Sequence, residues 1–320
     1  MLPKPPPREP SIGFLYLPPY RVQGFSVAGE ATVVQVPEVD VCFDMGVCPR
    51  FALPSKFAAI THGHMDHIGG LAYWCSQRRF QGMGTGTIVC DSRIAPAIHK
   101  MMAGFVDLEQ QKTPYEVVEL DPFDDAKHQI EIKNNLFLRG FPTEHTSPSM
   151  GYVVVENRSK LKDEYVGLPQ DKLMELKERN IEITRTFEVP HIAFVGDTAP
   201  GPHLVRDDVR KCQIVISECT FFDSDHRGRA KIGMHMHIED IAEWLRVLEC
   251  EYLVVTHVSR RTNLGVAMKK LRERVGDQLA RKVLFLMDSK QNRERYERQL
   301  ADAERAAGVT PSRVSVPRGS

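Results

Sequence analysis

No stretch of the 320-residue chain approaches the roughly 20 consecutive apolar residues that cross a bilayer. The opening Met1-Leu2-Pro3-Lys4-Pro5-Pro6-Pro7 also lacks the apolar region of a signal peptide. A soluble protein without membrane contact is therefore expected. No two of the seven cysteines stand at C-x-x-C spacing, which argues against a thiolate zinc site or a dithiol redox motif. An odd, scattered set reads as buried thiols in a reducing compartment, so a cytoplasmic location is expected. Excess charge is missing too. Lys+Arg and Asp+Glu balance at 42 each, so the chain lacks the basic field that holds many phosphates along a nucleic acid. Internal repeats are absent. Met83-Gly84-Thr85-Gly86-Thr87 is rich in glycine but lacks the Gly-Lys-Ser/Thr of a phosphate-binding loop, and reads as a turn before a strand.

What the chain does have is many short β-branched runs. They fall at 31–36, 39–44, 57–61, 87–90, 115–120, 136–141, 152–156, 192–196, 213–217, 252–256 and 283–287. Helical spacing appears late, at Ile238, Ile241, Ala242, Leu245 and Leu248, and again at Leu264, Ala267, Met268, Leu271 and Val275. The charged Ser289 to Ala306 reads as an exposed helix. Strands first and strand-helix alternation later predict an α/β sandwich, with two mixed β-sheets face to face and helices outside. A Pro-rich flexible N-terminus (1–20) and a flexible tail (308–320) are expected around one domain, 21–307. Asn157 to Arg185 is highly charged, and Pro169 can open a solvated surface helix there.

Chemistry concentrates in Thr61-His62-Gly63-His64-Met65-Asp66-His67, directly after the apolar run Phe57-Ala58-Ala59-Ile60. Strand ends are where α/β folds expose reactive groups. Imidazole and carboxylate suit zinc, manganese or iron, and four such groups in so short a span fit two adjacent ions better than one. The pattern H-x-H-x-D-H arises by chance on the order of once per thousand chains of this composition.

These residues resemble the signature of the metallo-β-lactamase superfamily, and more specifically its ribonuclease Z-like branch. Glu144-His145-Thr146-Ser147-Pro148-Ser149-Met150-Gly151-Tyr152 is similar to that branch's third-histidine loop. Phe194-Val195-Gly196-Asp197-Thr198 is similar to its bridging-aspartate loop, Ser217-Glu218-Cys219-Thr220-Phe221 to its glutamate motif, and Thr256-His257-Val258-Ser259-Arg260-Arg261 to its final histidine and arginine. The resemblance implies the αββα sandwich fold and two divalent ions, zinc or else manganese or iron. His62, His64 and His145 would hold one ion, Asp66, His67 and His257 the other, and Asp197 would bridge them. A hydroxide between the ions is the implied nucleophile. Glu218 would orient His235 as proton donor, and Arg261 would bind a phosphate oxygen. His237 competes with His235, because Met234-His235-Met236-His237-Ile238 departs from the family's usual residues.

The branch also implies a homodimer and an arm that grips transfer RNA. The Gly-Pro-containing arm motif is missing from 157–185, where signs alternate instead of presenting a basic face. The resulting expectation is a binuclear metal-dependent hydrolase, foremost a phosphodiesterase. Transfer-RNA 3′-end cleavage, hydrolysis of a thioester, lactone or carboxylic ester, and an inactive metal-bound scaffold stand as alternatives.

Overall fold

A computed structural model describes residues 12–307. Residues 1–11 and 308–320, most of the expected N-terminal extension and all of the tail, lie outside the described residues.

The strands are β1 (Gly13–Leu17), β2 (Tyr20–Val27), β3 (Ala31–Val36), β4 (Val41–Phe43), β5 (Phe57–Ile60), β6 (Gly86–Asp91), β7 (Tyr115–Leu120), β8 (Gln129–Lys133), β9 (Leu136–Pro142), β10 (Met150–Leu161), β11 (Thr184–Phe194), β12 (Ile214–Glu218), β13 (Tyr252–Thr256) and β14 (Val283–Phe285). They form two seven-stranded sheets, ordered β1-β2-β3-β4-β5-β6-β7 and β14-β13-β12-β11-β10-β9-β8. In each sheet an antiparallel half runs into a parallel half, β4 to β7 in the first and β11 to β14 in the second.

The helices are α1 (Met65–Ile68), α2 (Leu71–Phe80), α3 (Ala95–Glu109), α4 (Gln170–Glu178), α5 (Asp207–Arg210), α6 (Arg227–Gly233), α7 (Ile238–Leu245), α8 (Leu264–Ala280) and α9 (Ser289–Ala306). None is long and apolar enough to cross a membrane. Strands β4, β5, β6 and β12 are buried along their whole length, as strands covered on both faces must be. Between the sheets Phe43 stacks on Phe194 with ring centroids 4.8 Å apart, among Val34, Tyr152, Ile214 and Val254. Trp74, Ile88, Ile98 and Met102 pack α2 and α3 on the first sheet, while Ile241, Leu245, Leu253 and Leu271 pack α7 and α8 on the second. This is the expected αββα sandwich.

Several local expectations are corrected. Residues 13–17, assigned to the flexible terminus, form the edge strand β1, paired in register with β2 from Gly13↔Gly24 to Leu17↔Tyr20. Helices are not confined to the later half. In α3 Ile98 and Met102 face the core, but Phe105 and Leu108 are exposed, so its apolar residues draw no single stripe. On α2, Tyr73 is 56% exposed beside the buried Trp74. The charged segment does contain the surface helix α4, but its flanks pair as strands from Asn157↔Glu188 to Leu161↔Thr184. Neither β9 nor β12 accompanies this ladder, so it protrudes as a two-stranded ribbon. A bulge at its base falls where Pro190, which has no N–H, sits opposite Val155.

Candidate metal centre

The C-terminal ends of parallel strands from both sheets meet along one edge of the sandwich. β5 delivers His62, His64, Asp66 and His67, β11 delivers Asp197, β12 ends on Glu218, and β13 leads into His257. His145 arrives from the loop between β9 and β10, whose far side is fixed by a bridge from Ser149 to His62. The sharp turn into Asp197 depends on Gly196. Its φ of 68° favours glycine, and a Cβ there would stand 2.9 Å from Thr61 Cβ.

Two three-residue groups of donor atoms converge, with Asp197 between them. His62, His64 and His145 form one, with His62 Nε2 at 3.0 Å and His145 Nε2 at 3.3 Å from His64 Nδ1. Asp66, His67 and His257 form a second. His67 Nε2 lies 3.7 Å and His257 Nε2 3.5 Å from Asp66 Oδ2. Between them Asp197 places Oδ2 3.3 Å from both His67 Nε2 and His257 Nε2. Two nitrogens bound tetrahedrally at 2.0–2.1 Å from one cation stand about 3.3 Å apart, so these spacings fit a shared ion.

The opposite ring nitrogens decide what each histidine offers. His67 Nδ1 donates to Asp44 Oδ2 at 2.8 Å, and His145 Nδ1 donates to the carbonyl of Met234 at 3.1 Å. The Thr61 hydroxyl gives its proton to Asp44, 2.9 Å away, and so accepts from His62 Nδ1 at 3.0 Å. The Thr220 hydroxyl gives its proton to Glu218 Oε2 at 2.8 Å and accepts from His257 Nδ1 at 3.0 Å. In all four rings the Nε2 lone pair is thereby aimed inward, as metal ligation requires. The Nε2 of buried His67 has no hydrogen-bond partner, an orphan that a cation would satisfy. His257 itself adopts a φ of 53°, held by its N–H to Ser26 Oγ at 2.9 Å.

The electrostatics agree with a cation site. Burial disfavours ionisation of Asp197, but His257 and His67 outweigh it and hold the carboxyl well below its usual range. Burial likewise pushes His62 down to about 2, so its ring stays neutral and able to ligate.

Beside the centre, His235 Nδ1 lies 2.7 Å from Glu218 Oε1 and 4.0 Å from Asp197 Oδ2. Burial works against protonating His235, yet Glu218 overcomes it and raises the ring to about 9. Glu218 is buried and also accepts from the N–H groups of Met236 and Thr220, each at 3.0 Å. His237 is elsewhere: its side chain accepts from Glu239 N–H and closes a capping box with Asp240 at the start of α7. Arg261 is exposed, and its side chain has no partner among the described residues.

Sequence reasoning overlooked Asp44, Thr61, Thr220 and Ser26, which fix the ligands without facing a cation. Asp44 left one trace, a carboxylate closing an apolar strand where burial without a partner would be costly. Thr220 lay inside the glutamate motif, but nothing in its spacing marks it as the link to His257. The seven cysteines are all free, and only Cys48 is less than fully buried.

Comparison with known proteins accords with this geometry. Residues 56–161 match the family model described as the metallo-beta-lactamase superfamily. The chain is 33% identical to the chloroplastic tRNase Z TRZ2 of Arabidopsis thaliana over 80% of its own length and 73% of that protein. It is 31% identical to tRNase Z TRZ1 of the same plant, covering 76% and 86% respectively. Its fold resembles the crystal structure of human tRNase Z, short form, with a TM-score of 0.54 at 19% identity, over 78% of this chain and 93% of that one. A relative above 30% identity aligned over most of both chains fixes descent as well as fold: this chain belongs to the ribonuclease Z branch of the metallo-β-lactamase superfamily and is a metal-dependent hydrolase.

Proposed function

We propose that the protein is an endonuclease that trims the 3′ end of precursor transfer RNA, working as a binuclear phosphodiesterase. The observation that carries the proposal is the joining of two three-ligand clusters through Asp197 beside the Glu218–His235 pair. The curated relatives named tRNase Z supply the substrate class.

His62, His64 and His145 would hold one ion, and Asp66, His67 and His257 the second, with Asp197 between them. Zinc is the preferred metal on its fit to histidine and carboxylate ligands, with manganese or iron as substitutes. When bound, the ions supply Lewis acidity toward phosphoryl oxygens and a water of lowered pKa. Asp66, 3.5 Å from His257 Nε2, would also help to orient the attacking water. His235 carries the proton for the departing alkoxide, and Glu218 stabilises its charged form. Arg261, whose side chain has no partner among the described residues, would meet a non-bridging oxygen of the scissile phosphate.

Buried free thiols favour a reducing compartment, consistent with a cytoplasmic enzyme, and a homodimer is the proposed working form. The test compares precursor transfer RNA, bis(p-nitrophenyl) phosphate and a thioester, with metal content measured in parallel. Asp197→Ala should lose metal and RNA cleavage together. Cleavage by a metal-free preparation, or turnover of the thioester alone, contradicts the proposal.

A further inference from the structure

Beyond His257 the chain runs through Val258, Ser259 and Arg260 onto the rim of the first sheet, where a cavity of about 380 Å³ opens. Phe25 of β2, Ala31 of β3, and Val47 and Phe51 from the segment after β4 line it, with Glu30 and Arg260 at its mouth. Val47 is 42% exposed, and Phe25 and Phe51 are only half-buried, so an apolar slot stands open to solvent.

Backbone contacts tie the walls of the slot to the segments that carry the metal ligands. Gly46, beside Val47, packs against the backbone of Asp66 with no room for a Cβ. On the other side Val27, two residues after Phe25, is bridged to Val258. A second cavity of about 210 Å³, lined by Val27, Val258 and Met287, adjoins the first across Arg260.

Arg260 differs from Arg261 in one decisive way. Its Nε donates to Glu30 Oε1 at 2.6 Å and its Nη2 to Glu30 Oε2, so its charge is matched and its guanidinium plane is fixed. A neutralised cation is a poor phosphate ligand. A planar guanidinium held by one carboxylate, in the lining of a slot that also contains Phe25 and Phe51, offers a stacking surface, the chemistry by which unpaired bases are held.

We propose that this slot binds a nucleobase of the single-stranded 3′ extension of the substrate RNA, so that Phe25, Phe51 and Arg260 contribute to substrate selection. The proposal rests on the endonuclease reading above. Arg260 follows His257 by three residues, at most about 11 Å of chain. With stacked nucleotides rising about 3.4 Å each, the base held is one of the first three beyond the scissile phosphate.

The experiment measures kcat/KM on precursor transfer RNA carrying a single abasic nucleotide at each of those three positions, and at the nucleotide 5′ to the cut. Hydrolysis of bis(p-nitrophenyl) phosphate, which has no nucleobase, gives the reference rate for each protein. The native protein should lose about tenfold at one of the three positions, the scale of one base stacked on an aromatic or arginine plane. In Arg260→Ala the intact RNA should fall by a similar factor, and the abasic penalty should shrink to within twofold. Arg260→Lys, which keeps charge but not the plane, should behave like Arg260→Ala. Full activity in the lysine variant, or sensitivity only on the 5′ side, overturns the proposal. So does a change in sedimenting mass of Arg260→Ala with base discrimination intact, which makes a second copy of the chain the occupant. RNA cleavage indifferent to every abasic position overturns it alone. Failure to cleave any RNA while the small diester is hydrolysed overturns the endonuclease reading with it.

Discussion

Asp44 lies beneath the metal centre with its Oδ2 2.8 Å from His67 Nδ1, fully buried and 23 residues away in sequence. The same carboxylate accepts from the backbone N–H of Thr61 at 2.8 Å and from its hydroxyl. One buried charge therefore orients His67 directly and His62 through Thr61. Burial pushes the Asp44 carboxyl up, while His67 and the Thr61 donors pull against that shift.

Replacing Asp44 with Asn keeps the volume but removes the charge that fixes the two tautomers. Metal affinity should fall about 10- to 100-fold, the usual cost of losing a partner behind a ligating imidazole. Competition with a chelator of known affinity measures this, with circular dichroism confirming the fold. Unchanged affinity would show that the charge of Asp44 is not what orients His62 and His67.

His235 and His237 separate under mutation. His235→Ala should lower kcat on RNA by about 10²- to 10⁴-fold, the range for a general acid, while the metal content stays the same. The loss should be much smaller on bis(p-nitrophenyl) phosphate, whose phenolate leaves without help. His237→Ala instead removes the cap of α7 and should cost about 1 kcal/mol of stability with little change in kcat. Equal kinetic losses in the two variants would contradict this division.

Much of the site was legible because its ligands lie at strand ends. Apolar runs locate β5, β11, β12 and β13, and a polar residue straight after each is visible in one dimension. Glu218 could be paired with His235 or His237 only in three dimensions, because both stand at the same approach to α7. The supporting residues were illegible for a different reason. Ser26 reaches His257 across 231 positions, and such a contact leaves no period in the sequence. In the fold, β2 and β8 were missed because Arg21, Gln23 and Gly24, or Gln129, Glu131 and Lys133, interrupt their apolar residues. The ribbon of β10 and β11 was missed because both its faces meet water and its side chains carry no inward pattern.

Phe194 links stability to function. It is buried, stacks on Phe43 between the sheets, and lies three residues before Asp197. Phe194→Ala should destabilise the fold by about 3–5 kcal/mol through lost contacts and an unfilled cavity. Denaturant titration measures the change. Metal binding by the folded fraction should survive, since the turn at Gly196 and not the ring aims the carboxylate.

Gly196 provides the complementary case. Gly196→Ala asks a side-chain-bearing residue to adopt a φ of 68° and drives its Cβ against Thr61, which itself supports Asp44 and His62. The left-handed backbone alone costs about 1–3 kcal/mol, and relief by backbone rotation would swing Asp197 away from His67 and His257. Phe194→Ala should therefore lose stability with little loss of metal, and Gly196→Ala should lose metal out of proportion to its stability. Measuring both quantities in both variants separates packing from aim. If Gly196→Ala binds metal normally, Asp197 is positioned by the ion itself and the turn only connects the strands.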